Sequence, residues 1–555
     1  MGPSVGTSMR HATTNFDHLL YTGKWYCNTG LLTLNILLCL PLISSYSNGF
    51  DGSMMNGLQS VTWWQEFFHH PRGGTLGLFN AIQNIGSICG VPFAPYVADT
   101  FGRKSAMLLG ALIIAGGAAL QTASQNFGMF IGARAMIGFG ASFLMVASPL
   151  LISELAYPSH RPSVSALFNT MWFSGSIVAA WGTFGTFRID NNWSWRIPSA
   201  LQAIPSVIQL LLLWLIPESP RYLIRQGRDE KALNILAKYH ANGNRNDPLI
   251  EYEYNEIKEA ISIDEANAKS SSLLELFSGT GNLRRMRIII AISFFSQWSG
   301  NGLISYYFNL ILNGIGITSA FDQTLINGIL QIFNLATAIT ASVLTERVGR
   351  RVLFIASTAG MTVSYMAITI CSAVYRHSVH INPDGTTSTD PATGKAEKGN
   401  ENAAHTYIAV VFFFSFFYAI AYTPLLVSYT VEILPYKIRA KGLAVMGLSV
   451  TASIVFNQYV NPIAFDALNW KYYVVYTIWD AAETVFIWFY AVETKGRSLE
   501  ETALLFDDPS AADALAQRAH ANVRQLPNEG DEKGDLSSET TNENNSIRES
   551  RRQVV

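Results

Sequence analysis

Hydrophobic positions in this chain come in long runs of roughly 20 residues, each closed by a short polar break. A run of that length crosses a bilayer as one helix. Twelve are present, at roughly 30–52, 75–98, 105–123, 127–150, 164–187, 198–217, 287–313, 322–345, 352–374, 406–429, 442–465 and 470–491. The pattern predicts an all-α membrane protein with twelve transmembrane helices, and the small residues in these runs suit close helix contacts.

The polar breaks repeat. Asp99-Thr-Phe-Gly-Arg-Lys104 follows the second run, and Glu346-Arg-Val-Gly-Arg-Arg351 follows the eighth. Glu154 precedes Arg161 by the same spacing as Glu432 precedes Arg439, and Pro217-Glu-Ser-Pro-Arg221 and Val492-Glu-Thr-Lys-Gly-Arg497 close the sixth and twelfth runs. A duplicated six-helix bundle explains all three echoes. The later motifs are displaced by roughly 30 residues relative to the first pair, which places an insert in the second half. The polar stretch 376–405 fits that insert and reads as an outer loop.

This divides the chain into a segment 1–29, a first bundle 30–217, a helical linker 218–286, a second bundle 287–491 and a tail 492–555, disordered beyond about residue 511. Lys and Arg collect at Arg103 and Lys104, at Arg161, in the linker, at Arg347–Arg351 and at Lys437–Lys441. The positive-inside rule then puts both termini and the linker in the cytoplasm. The polar Met1–Lys24 stretch argues against a cleavable signal. Asn192-Trp-Ser194 is a formal glycosylation sequon on the opposite side, close to a membrane segment.

Composition sharpens this picture in three ways. Charged residues make up 14% and hydrophobic residues 49% of the chain, with mean hydropathy +0.20, whereas a soluble domain carries about 25% charge. A net charge of −2 gives no reason to expect a nucleic-acid partner. The four cysteines, Cys27, Cys39, Cys89 and Cys371, have no metal-binding spacing and read as buried thiols. No metal or cofactor is implied and no catalytic constellation stands out, which argues against an enzyme.

Asp51, inside the first run, is the sharpest candidate. A carboxylate within the bilayer is costly and marks an ion or proton path. Arg134 in the fourth run is its natural partner, and protonating Asp51 removes the ion pair. The competing reading is a solvated carboxylate at headgroup level.

Asp99, Arg103 and Lys104, with Glu346, Arg350 and Arg351, read as an interdomain latch; Glu154, Arg161, Glu432 and Arg439 complete its networks. Simple positive-inside anchoring is the alternative. Gln297 and Asn301 are four residues apart, so they share a helix face. Amides near the aromatic ring of Tyr306 suit sugar hydroxyls and apolar sugar faces. Asn334, Asn169 and Thr170 are further candidates, and interhelical bonding is the alternative for all of them. Asp480 and Glu483 share a face of the last run, where a structural or solvated role is favoured.

These motifs resemble the sugar porter family of the major facilitator superfamily across nearly all of 30–505. The strongest marks are Asp99–Lys104, Pro217–Arg221, Glu346–Arg351 and Glu493–Glu500. Gln297–Gly302, Tyr422-Thr-Pro424 and Trp195-Arg-Ile-Pro198 look most similar to the fungal lactose and cellodextrin permease branch. The resemblance implies two six-helix bundles around one alternately exposed sugar site. Asp51 matches the position where proton-coupled members carry Asp, and Arg134 its partner. Asn334 also matches. Departures are Ser296 for a glutamine, Gly302 for an asparagine, Thr170 for a glutamine and Val427 for a tryptophan, with Tyr429 close by as a substitute. Pro95 replaces a glycine in the first charged motif, and Pro162 stands where glycine is usual.

The expectation is therefore proton-coupled sugar import across the plasma membrane, with a di- or oligosaccharide favoured over a hexose. A passive monosaccharide facilitator, a sugar sensor and a carrier of a non-sugar metabolite are the rival readings. Sugar, proton and lipid bilayer are the expected partners.

Overall fold

Helix starts in this chain are marked by short polar side chains that satisfy otherwise free N–H groups. Asn28 Oδ1 accepts from Leu31 N at 3.1 Å, Asn126 Oδ1 from Met129 N at 2.8 Å and Asn400 Oδ1 from Ala403 N at 3.2 Å. The structure is a computed structural model that describes residues 19–21, 23–270, 276–378, 399–495, 502 and 505–506. Most of the 376–405 insert and the tail beyond residue 506 lie outside the described residues.

The first half contains α1 (Thr29–Leu58), α2 (Thr62–Phe67), α3 (Gly73–Gly90), α4 (Phe93–Phe101), α5 (Arg103–Thr122), α6 (Phe127–Leu155), α7 (Arg161–Thr186), α8 (Trp193–Leu201) and α9 (Ala203–Leu212). The linker contains α10 (Pro220–Arg225), α11 (Asp229–His240) and α12 (Pro248–Ser270). The second half contains α13 (Thr280–Trp298), α14 (Asn301–Gly314), α15 (Ala320–Val348), α16 (Arg350–Ser378), α17 (Glu401–Ile433), α18 (Tyr436–Leu468) and α19 (Tyr472–Tyr490). With α3–α4, α8–α9 and α13–α14 each counted as one broken crossing, these helices trace the twelve apolar runs. Among the described residues there is no strand.

Packing repeats between the halves. α1 lies on α7, α3 on α6 and α5 on α6; correspondingly α13–α14 lies on α18, α15 on α17 and α16 on α17. The halves meet where α3 crosses α18 and α7 crosses α15. At the end remote from the charged motifs, neutral groups join them. Asn56 Nδ2 donates to Asn327 Oδ1 at 3.3 Å, Gln59 Nε2 to the Tyr306 carbonyl at 2.9 Å, and Asn309 Nδ2 to Ser60 Oγ at 3.0 Å.

The linker docks on the first half. His240 joins Glu253 through Nδ1 at 2.7 Å and the Leu155 carbonyl through Nε2 at 3.2 Å. Asn242 Oδ1 accepts from Gly30 N at 2.8 Å. α11 places Asp229 and Glu230 in its first turn and Lys238 and His240 in its last, the favourable order for the helix dipole.

Candidate functional site

α1, α3, α6 and the break between α8 and α9 converge on Asp51, which is 2% exposed. Arg134 Nη1 lies 3.3 Å from Asp51 Oδ1, and Gln202 Nε2 donates to the same oxygen at 2.6 Å. Arg134 Nη2 donates to Gln83 Oε1 at 2.9 Å. Close approach of α3 and α6 permits this: a Cβ on Gly138 would lie 1.8 Å from the Gln83 carbonyl oxygen. Asp51 Oδ2 has no hydrogen-bond partner among the described residues. Asp51 lines a small pocket, with room for about one water molecule, together with Ser44, Ser47, Asn48 and Gln83. The carboxylate is buried, not held in headgroup solvent, and has one oxygen free to take a proton.

The seventh crossing is not a continuous helix. α13 ends at Trp298 and α14 begins at Asn301, because Gly300 adopts φ +81°. The simple i, i+4 face expected for Gln297 and Asn301 is therefore interrupted, and Tyr307 adds a further departure at φ −132°, ψ 30°. Tyr365 Oη donates to the Gly300 carbonyl at 2.8 Å, and Tyr418 Oη to the Ser296 carbonyl at 2.8 Å. The Gly300 carbonyl also accepts from Leu303 N at 3.1 Å, so Tyr365 adds a side-chain donor at the start of α14 while Tyr418 holds the last turn of α13. Such broken membrane helices commonly line binding sites. Gln297, Asn301, Tyr306 and Asn334 are all partly exposed. Among the described residues Gln297 Nε2 reaches only Ser296 Oγ, at 3.3 Å, and Asn301 Oδ1 accepts from Ser305 Oγ at 3.2 Å.

Gly302 makes room for a neighbour. A Cβ there would lie 2.1 Å from Asn457 Nδ2, which instead donates to the Gln297 carbonyl at 2.6 Å. An amide from α18 thus occupies the space that a side chain at 302 would fill. On α7, Asn169 is exposed and the Thr170 hydroxyl donates back to the Ala166 carbonyl at 3.0 Å. Tyr429 is placed differently from expectation. It is 1% exposed, and its hydroxyl donates to the Val492 carbonyl at 3.0 Å and accepts from Val492 N at 2.9 Å. That commits it to closing the α17–α19 ends, while Val427 is 51% exposed.

The charged motifs form two matching clusters, each inside one half. Arg103 reaches Asp99 at 3.0 Å and grips Glu154 through Nε at 3.1 Å and Nη2 at 3.3 Å. Arg350 grips Glu432 through Nε at 3.2 Å and Nη2 at 2.9 Å. A second glutamate caps the next helix in each: Glu218 accepts from Arg103 N at 3.1 Å, and Glu493 from Arg350 N at 2.9 Å. Gly102 (φ +100°) and Gly349 (φ +113°) make the turns that admit these glutamates. Lys104 Nζ donates to the Trp214 carbonyl and Arg351 Nη2 to the Trp488 carbonyl. Burial pushes the Glu218 carboxyl above the usual glutamate range, against the pull of the Ser219, Lys104 and Arg103 N–H groups.

The latch expected between domains is thus, among the described residues, a pair of clasps within domains. The charges lie at helix ends whose nearest neighbours are helices of the same half. Arg161 is exposed, away from Glu154, which is taken by Arg103. Arg439 donates to the Leu434 carbonyl at 3.3 Å. The Glu346 side chain lies outside the described set. Because the Arg103–Glu154 side chains are 8% and 9% exposed and the Arg350–Glu432 pair 20% and 21%, truncation should cost unequally. Arg103→Ala is expected to lose about 3 kcal/mol, and Arg350→Ala about 1 kcal/mol. Thermal unfolding of both purified variants checks this; equal losses would refute the depth argument.

Sequence reasoning missed Gln83, Gln202 and the capping roles of Glu218 and Glu493. An isolated amide inside an apolar run was the available signal for Gln83 and Gln202. For the two glutamates it was their matched places after the sixth and twelfth runs.

A family model described as Sugar (and other) transporter matches residues 37–506. A high-affinity glucose transporter from Kluyveromyces lactis is 30% identical over 499 residues, covering 89% of this chain and 88% of that protein. A galactose transporter from Saccharomyces cerevisiae is 27% identical over 488 residues, covering 86% and 82%. The inward open conformation of the xylose transporter XylE from E. coli superposes with a TM-score of 0.67 at 22% identity, covering 85% of this chain and 99% of that one. The twelve crossings, the doubled charge clusters and these matches together show that the chain belongs to the sugar (and other) transporter family, as a multi-pass membrane transporter of the major facilitator fold.

Proposed function

We propose that this protein imports a sugar together with a proton by alternating access across the plasma membrane. The observation that carries the reading is Asp51: a buried carboxylate with one oxygen bound by Arg134 and Gln202 and the other without a partner among the described residues. Protonation there weakens the hold on Arg134, which keeps Gln83, and so changes the balance of forces among α1, α3 and α6. A neutral donor such as Gln202 stays compatible with both states. The distribution of basic residues supports a cytoplasmic side for the charged end and both termini. In this reading the neutral bonds at the opposite end close the outer side, and the described state is inward-facing.

The seventh-crossing break forms the sugar site in this reading, with Gln297, Asn301 and Asn334 as hydroxyl partners, Tyr306 as an aromatic neighbour, and Asn169 and Thr170 opposite. Asp99–Lys104 with Glu154, and Arg350–Arg351 with Glu432, keep each half rigid as the halves rock. Thr170 and Val427 are smaller than the side chains usual at these positions, which favours a di- or oligosaccharide. The glucose and galactose carriers among the relatives favour a second reading, a hexose.

Uptake of labelled mono- and disaccharides by cells lacking their own carriers, with the medium pH recorded, tests both parts. Sugar-dependent alkalinisation is expected for one sugar class; uptake with no pH change would leave a facilitator. Gln297→Ala is expected to raise the KM for the transported sugar about tenfold, equivalent to about 1.4 kcal/mol, at unchanged surface level. An unaltered KM would remove Gln297 from the site.

A further inference from the structure

Asp480 and Glu483 stand three residues apart on one face of α19, and they are 0% and 1% exposed. A solvated role is excluded by that burial. None of their four carboxylate oxygens has a hydrogen-bond partner among the described residues. The groups facing them are aromatic: Tyr365 from α16, Tyr418 and Tyr422 from α17, and Tyr476 and Trp479 from α19 itself. From α13, Phe295 meets Trp479 edge-on at 6.1 Å and Trp298 lies tilted against it at 5.7 Å between ring centres. From α18, Asn457 and Asn461 accept from the Tyr476 hydroxyl at 3.4 and 2.6 Å. No Lys, Arg or His is among these facing residues.

Two neighbouring carboxylates without a cation cannot both stay ionised in a dry membrane interior. Protons are the counter-charge this pocket can hold. The hydroxyl of Tyr422, which is 2% exposed, and the Trp479 indole N–H have no partner among the described residues and are turned toward Glu483, outside bonding geometry. Both are donors that can stabilise a carboxylate after one proton leaves.

The pair also backs the break in the seventh crossing. Tyr365 and Tyr418, which face it, are the residues whose hydroxyls hold the Gly300 and Ser296 carbonyls on either side of Gln297. Tyr418 is only partly buried and lies within electrostatic reach of both Glu483 and Tyr306, so it connects the pair to the partly exposed face of the break.

We propose that Asp480 and Glu483 form a second proton-binding site, separate from Asp51, that exchanges a proton with solvent past Tyr418. Loading forms one carboxyl O–H bond with a proton from water, and release breaks it; no other bond changes. The proposal rests on the proposed function only in taking the α13–α14 break as the region open to solvent.

The test is infrared spectroscopy of the purified full-length protein across a pH titration, reading the C=O stretch of protonated carboxylic acid. The wild type should show a band that disappears reversibly as pH rises. Asp480→Asn/Glu483→Gln, which matches the size and neutrality of the loaded pair, should lose that band, and Glu483→Gln alone should shift it. Asp51→Asn should retain it. A band unchanged in the double variant, or one that does not titrate while the protein stays folded, overturns the proposal. Neither result bears on Asp51, whose own test is the loss of sugar accumulation.

Discussion

Asp51→Asn is expected to abolish accumulation of sugar against a gradient while leaving exchange of internal for external sugar in place. The amide keeps the size of the carboxylate and can still present an oxygen to Arg134 Nη1 and Gln202 Nε2, which now bind Oδ1 at 3.3 and 2.6 Å. What it cannot do is take up and release a proton. The conformational equilibrium then no longer responds to the proton gradient, and sugar alone drives the halves. Removing the negative charge also leaves Arg134, 2% exposed, without its ionic partner. Truncating one member of a buried pair costs about 3–5 kcal/mol; retained hydrogen bonds to the amide and to Gln83 should reduce this. Surface level must therefore be measured beside uptake. Uphill uptake undiminished in a well-expressed variant would sink the coupling role.

Gly300→Ala is expected to cost most of the protein's folded yield. At φ +81° an L side chain is strained by about 1–2 kcal/mol, and the added Cβ would lie 2.1 Å from Tyr365 Oη and 2.2 Å from its Cζ. Tyr365 has nowhere to go: it is 1% exposed, with Phe414 at 5.0 Å and Tyr476 at 5.1 Å between ring centres. Forced displacement in a filled core adds about 1–3 kcal/mol. Gly116→Ala is the matched control, because a Cβ there meets nothing within 4 Å. It should be neutral or slightly stabilising, as Ala is the better helix former by about 0.5–1 kcal/mol. Fluorescence-detected size-exclusion profiles and thermal unfolding of both variants decide the matter. Wild-type behaviour of Gly300→Ala would mean that the break is soft.

The sequence carried the twelve crossings because bilayer thickness imposes a run length, and any chain must show it. It also carried the duplication, since the glycine turns at Gly102 and Gly349 and the glutamates that cap them need the same residues twice. The break at Gly300 was hidden for a physical reason. With 42 glycines in the chain, many serving close helix contacts, one that takes a left-handed conformation has no distinct signal. Periodicity therefore put Gln297 and Asn301 on one continuous face. Sequence spacing likewise could not show that Glu154 turns to Arg103 instead of Arg161, because that choice depends on which helix ends lie side by side. Tyr429 shows the same limit: a tyrosine near a family binding position serves Val492 because its helix end is closed there. Gln202 went unnoticed because only the assembled bundle puts it against Asp51.

The bonds that hold the two halves together at the end remote from the charges have a mechanical meaning. Asn56–Asn327, Gln59–Tyr306 and Asn309–Ser60 are neutral pairs at 2.9–3.3 Å, each worth about 0.5–1.5 kcal/mol net. The charged clasps lie wholly within halves, so the molecule has a fault line along which it parts at low cost and two blocks that resist shear. Strength is graded by position, with charge-assisted bonds inside the halves and neutral bonds at this end between them. On the proposed cycle, replacing the Asn56–Asn327 amide pair by an ion pair would shift the fault line and stall the rocking of the halves.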